Sequence, residues 1–231
     1  MSDSLEALGP ELWGARSELS FMGLAVHTRM SVCRLSSGGL ILHSPIPHDD
    51  GLAKQLETLG PIVAIVAPNT MHHLSVSAWR EAAPEARVFI PPGLVAKRPD
   101  LDDCERHADF DASFGAELQR IEIAGIPGLQ ESLFFHPASR TLLVTDLLFY
   151  LPEARGITRL FALATRVHAR PRCELSVRML IRDRAALRRS LVVLRELEIE
   201  RISLCHHAVL EQDAGELLGR ALDELGVPRL G

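Results

Sequence analysis

Residues 62–75 read IVAIVAPNTMHHLS. The first six form a continuous apolar run with β-branched side chains, bounded by Gly60-Pro61 before it and Pro68-Asn69 after it. A run this short, with such boundaries, predicts a strand buried on both faces. The strand leads straight to His72-His73. Two further segments repeat the pattern. TLLVTDLLF (141–149) carries an apolar strand into Asp146, and RISLCHH (201–207) carries one into His206-His207. A carboxylate set directly after LLVT is costly to bury unless it is paired, hydrogen-bonded or metal-bound. Imidazole and carboxylate are natural ligands for zinc, iron or manganese. Each residue alone also reads simply as a cap or a loop hydrogen-bonder. Adjacent histidines point to opposite sides of an extended chain, so at most one of each pair is expected to face a shared site. The coincidence of three such strand ends says more than any one of them.

Working outward, residues 1–18 read as an irregular lead-in. Residues 21–45 read as strands, with Ser36-Ser37-Gly38-Gly39 as a hairpin turn. Asp49-Asp50 can cap a helix that holds Leu52, Leu56 and Leu59 at helical spacing, stopped by Gly60-Pro61. A helix over 75–83 and a strand over 87–92 follow, and 93–114 read as loop-rich. Strands are expected near 131–135 and 141–145, joined by the turn Pro137–Arg140. Residues 153–180 are helical in parts. Residues 183–198 form an amphipathic helix with Leu187, Leu191, Leu194 and Leu197 on one side, and a last helix covers 213–225. This is an α/β (or α+β) chain, one domain over 1–231, in which chemistry gathers at strand ends.

Composition narrows the function classes. Apolar residues make up 47%, enough for a sizeable core. The net charge of −5 gives no sign of nucleic acid or of an anionic membrane as partner; a small-molecule substrate or ligand is the expected partner. Arg182, Arg184, Arg188 and Arg189 form the best basic cluster, read most simply as a solvated helix face. No segment reaches the ~18 apolar residues of a membrane span. The opening MSDSLEALGPELW has no apolar core of a secretory signal. Cys33, Cys104, Cys173 and Cys205 are scattered without a CxxC pair, which suits a reduced, cytoplasmic setting.

The order of these features resembles the metallo-β-lactamase fold. The stretches MSVCRLSSGGLILHSPIP (30–47), VAPNTMHHLSVSAW (66–79), IPPGLVAKRPDL (90–101) and HPASRTLLVTDLLF (136–149) are similar to an uncharacterised branch of that superfamily. The resemblance implies an αββα sandwich. It also implies a motif, HxHxDH, after the strand at 62–67. Placing Asn69 first puts His73 in the aspartate position, placing Pro68 first puts His72 there, and the two leading histidines are missing on either alignment. The turn that would supply the next histidine, Gly125–Leu129, has none. The three ligands of the first metal site are therefore absent. For the second site the resemblance keeps Asp146, His206 or His207, and one of His72 and His73.

Two readings stay open. One is a hydrolase of a small ester, lactone or amide that uses one zinc, iron or manganese ion. Asp146 would then serve as ligand; as a general base it would activate water without a metal, which needs a raised pKa. The other is a catalytically inactive ligand- or partner-binding module that holds no metal. Phosphodiester cleavage, which profits from two ions, fits less well.

Overall fold

The computed structural model describes residues 4–21, 23–206 and 209–229. Its strands and helices, in chain order, are β1 (Glu6–Gly9), β2 (Leu12–Phe21), β3 (Leu24–Arg34), β4 (Leu40–His43), α1 (Asp50–Leu59), β5 (Ile62–Val66), α2 (Val76–Ala82), β6 (Arg87–Ile90), β7 (Glu105–Arg106) and α3 (His107–Phe114). They continue as β8 (Gln119–Glu122), β9 (Ser132–His136), β10 (Thr141–Val144), α4 (Gly156–Ala164), α5 (Leu175–Leu180), α6 (Arg184–Leu191), β11 (Arg201–Leu204), β12 (Val209–Leu210) and α7 (Ala214–Leu225).

Seven strands form one sheet in the order β1-β2-β3-β4-β5-β6-β7, antiparallel up to β4 and parallel from β4 onward. Five form the other in the order β12-β11-β10-β9-β8, where only β10 and β11 run parallel. The period of two along each strand builds the layers. Leu40 and Leu42 turn outward onto Leu52, Leu56 and Trp79 of the flanking helices, while Ile41 turns inward. Leu142 and Val144 join Leu187, Leu191, Leu218 and Leu222 on the outer face of the second sheet. Leu143 and Phe134 meet Ile41, Val66 and Phe89 between the sheets. The result is the expected four-layer αββα sandwich. The run at 62–67 is buried on both sides, with Ala64 and Val66 inward and Ile65 and Ala67 outward.

Local signals explain most boundaries. Asp49 caps α1 by accepting from the Leu52 N–H at 3.0 Å, and Gly60 ends it at φ +155. A Cβ at Gly60 would lie 2.0 Å from the Gly38 carbonyl oxygen, so this stop is tied to the β3–β4 turn. The irregular lead-in expected over 1–18 is corrected. Residues 6–9 and 12–21 are strands, and β2 pairs with β3 from Leu12↔Cys33 to Phe21↔Leu24. Among the described side chains of β2, Leu12 and Ala15 are the buried apolar ones, so its alternation is too thin to read. The loop-rich stretch 93–114 holds α3, and the amphipathic helix ends at Leu191, giving way to a 3-10 turn at Val192–Arg195.

Candidate metal centre

Four strands of the sandwich end at one edge, and their ends carry the polar groups. β4 leads to Ser44, β5 to Asn69–His73, β10 to Thr145-Asp146 and β11 to Cys205-His206. Asp146 sits in the middle. Its Oδ2 lies 3.3 Å from His72 Nε2 and its Oδ1 lies 3.2 Å from His206 Nε2. Asn69 donates its amide to Oδ2 at 2.7 Å and to Thr145 Oγ1 at 3.0 Å. The Asn69 carbonyl oxygen accepts from the backbone N–H groups of Met71 and His72, which shapes the turn that delivers His72.

The far nitrogen of each imidazole is also engaged. His206 Nδ1 donates to the His27 carbonyl at 3.0 Å. A carbonyl only accepts, so Nδ1 carries the proton and Nε2 is left to face Asp146. That backbone carbonyl is the usual outer partner of a metal-ligating histidine. Phe149 stacks on the His206 ring at 4.9 Å between centroids. His72 Nδ1 lies 2.8 Å from Ser44 Oγ and 3.5 Å from Cys205 Sγ. Ser44 takes a left-handed backbone (φ +56), a strained conformation for a non-glycine residue, held here by its N–H to Val66 O at 2.9 Å.

Charge is concentrated here. Burial works against ionised Asp146, but His72 and His206 together outweigh it and hold the carboxyl well below its usual range. Burial likewise opposes imidazolium at His72 and His206. Cys205 and Asp146 overcome it at His72 and raise it well above the ordinary value, while Asp146 leads in raising His206. Burial pushes the Cys205 thiol up, yet the adjacent His72 brings it down to about 6. The sulfur also meets Thr28 Oγ1 at 3.3 Å and the Arg29 N–H at 3.4 Å.

One oxygen of buried Glu131 accepts from Thr145 N–H, Asp146 N–H and Thr145 Oγ1 at 3.0, 3.1 and 2.6 Å. Burial pushes this carboxyl up to about 7. Glu131 fixes the backbone that presents Asp146.

The structure thus brings His72, Asp146 and His206 together. His73 is turned away, its Nδ1 3.1 Å from an Arg98 nitrogen. His207 lies outside the described residues. Sequence reasoning missed Ser44, Glu131 and Thr28 and gave Cys205 only a minor place. The legible signals were a cysteine beside a strand-end histidine and an acid directly before the apolar run SLFF.

The donor set fits a metal ion. Imidazole, thiolate and carboxylate are all ligands that zinc accepts, and the two imidazole–carboxylate spacings of 3.2 and 3.3 Å are also those of hydrogen bonds. Donor atoms of His72, Cys205 and His206 also lie within 4.8 Å of one another.

Solved structures share this architecture along nearly the whole chain. A metallo-β-lactamase from Pontibacter korlensis superposes with a TM-score of 0.61 at 12% identity, covering 97% of this chain and 99% of that one. The chain has the metallo-β-lactamase fold. The metallo-β-lactamase FIM-1 from Pseudomonas aeruginosa, in its mono-zinc form, gives 0.61 at 13% identity, with 97% and 96% covered. The metal-soaked Flv1 flavodiiron core from Synechocystis sp. PCC6803 gives 0.64 at 12% identity, with 96% of this chain and 60% of that one covered. In sequence, a domain of unknown function (DUF4336) matches residues 10–96, and no curated protein matches. On one of the two alignments Asn69 stands where the resemblance expects the first histidine of the first metal site, and the Gly125 turn stands where it expects a later one. Asn69 is committed to Asp146, and the Gly125 carbonyl accepts from Arg182 and Asp183 N–H.

Proposed function

We propose that this protein is a single-metal hydrolase of a small ester, lactone or amide. The reading is carried by Asp146, whose two oxygens each face an imidazole Nε2 within 3.3 Å in a buried strand-end cluster. His72 and His206 would hold the ion with Asp146, which faces both rings, and Cys205, whose sulfur lies within 4.8 Å of donor atoms of both histidines, as a neighbouring donor. A divalent ion held there supplies Lewis acidity, polarising a carbonyl and acidifying water. The chain's own groups set the rest. Glu131 and Asn69 fix Asp146 from two sides, and the His27 carbonyl fixes the His206 tautomer. Protons on the two Nε2 atoms must leave before either offers a lone pair, so loading is favoured as pH rises. One ion cannot clamp both attacking and leaving oxygens, which favours acyl substrates over phosphodiesters.

The Asn69 contact supports a second reading. It closes the network around Asp146 without a metal, as a ligand-binding module would need. Elemental analysis of untagged protein separates the two, alongside Asp146→Ala and a chromogenic ester assay. The hydrolase reading expects about one zinc, iron or manganese per chain, with metal and esterase activity both lost in the variant. Protein that neither contains nor takes up stoichiometric metal rules that reading out.

A further inference from the structure

Between β10 and β11 the chain carries ten arginines over residues 155–189, against only Glu174 and Asp183, in a protein of net charge −5. Three of the ten are engaged. Arg170 and Arg172 share Glu224, and Arg188 donates to the Leu225 carbonyl. Among the described residues, Arg155, Arg159, Arg166, Arg182, Arg184 and Arg189 are exposed and make no side-chain hydrogen bond or ion pair. Arginines outside this segment are engaged, as in Arg87–Glu105, Arg120–Asp111 and Arg195–Asp223.

The same segment turns its aliphatic side chains outward. α4 buries Thr158 and Ala162, with Thr158 Oγ1 accepting from the Ala25 N–H at 3.0 Å, and leaves Ile157, Leu160 and Leu163 exposed. α5 buries Val177 and exposes Leu175, Met179 and Leu180. Leu160 is 62% exposed and Met179 69%. A small satellite core of Leu151, Ala154, Ala162 and Val167 supports α4 without using those leucines. A surface helix normally buries its leucines, so the exposed aliphatic rows of α4 and of α5 each mark a surface with a partner.

We infer that α4 and α5 dock the protein on an anionic lipid surface. Aliphatic side chains entering the acyl boundary, beside unpaired guanidinium groups at headgroup level, are what such a surface selects. Charge argues against a second copy of the chain. A two-fold contact sets the same patch against itself, which would bring the free arginines of both copies together. The basic face goes unnoticed in the composition because the rest of the chain is acidic. The inference is independent of whether the strand-end site holds metal.

Sedimentation with phosphatidylcholine vesicles containing roughly a third phosphatidylglycerol tests it, with pure phosphatidylcholine as control. Binding should be at least about tenfold stronger to the anionic vesicles and should weaken with salt. It should be lost both in Leu160→Asp/Met179→Asp and in Arg155→Glu/Arg159→Glu, while the melting temperature of each variant stays at the parent value. These side chains are exposed, so folding is preserved. Equal binding to neutral vesicles, or none to anionic ones, overturns the inference. So does loss in the arginine variant alone, which would mean simple polyanion attraction. A dimer in light scattering that Leu160→Asp dissolves overturns it in favour of self-association.

Discussion

Glu131 does its work through a single oxygen. Three donors converge on Oε1, and Oε2 is buried with no hydrogen-bond partner. Glu131→Gln keeps the accepting oxygen and removes a buried acid, so chemical denaturation should register a change within about 1 kcal/mol. Glu131→Ala strands two buried N–H groups and a hydroxyl and should cost about 3 kcal/mol or more. If Gln proves as damaging as Ala, the carboxylate charge rather than its accepting geometry supports Asp146. Glu131 was hard to see in the sequence for a physical reason. An acid before an apolar strand is ordinarily solvent-facing, whereas this one is buried and bonded to the Thr145-Asp146 segment that follows β10. Asp146, His72 and His206 were legible because each ends an apolar strand. Choosing His72 over His73 needed the fold, since the turn set by Asn69 decides which ring faces inward.

At the level of elements, α3 is tied to both sheets through its first residue. His107 Nε2 donates to the Ala67 carbonyl past the end of β5 at 2.7 Å, and Nδ1 lies 3.2 Å from Ser132 Oγ at the start of β9. Burial lowers this imidazole to about 4, so it is neutral in the folded protein at neutral pH. The unfolded chain protonates it near 6.5, and between those two values the unfolded state holds more protons. The contribution is therefore complete above about pH 6.5 and declines as pH falls toward 4, by up to about 3 kcal/mol. His107→Gln, which can donate and accept at the same places, should flatten the fall in unfolding free energy over this window. An unchanged slope would move the acid sensitivity to other groups. Element legibility followed the apolar content of each repeat. β4, β5, β9, β10 and α7 carry dense apolar alternation or helical spacing and were read within a residue or two. β1, β2 and β8 were not. In β8 only Ile121 is buried, and the strand is defined by its pairing with β9.

At the scale of the molecule, the site is assembled from both halves of the sandwich. Ser44 and His72 come from the seven-stranded sheet, and Asp146 and His206 from the five-stranded one. An ion held by His72, Asp146 and His206 would join the two sheets at one edge, and the unfolded chain would have no such site. Its binding free energy would then add to the stability of the whole fold. Free metal at about 100 times its dissociation constant should contribute about 2.7 kcal/mol. For a chain of this length that is a rise of roughly 5–10 °C in melting temperature. Chelation should reverse the rise, and Asp146→Ala should abolish it. The rise should also grow with pH. The raised affinity of His72 and His206 for protons means that a proton competes with the metal at each Nε2, and that competition weakens as pH climbs. A calorimetric scan with and without zinc at two pH values therefore reads occupancy and proton competition together. A melting temperature indifferent to zinc at both would leave Asn69 and the two imidazoles as a closed hydrogen-bonded lock between the sheets. Asp146→Ala would then lower stability equally with or without the ion.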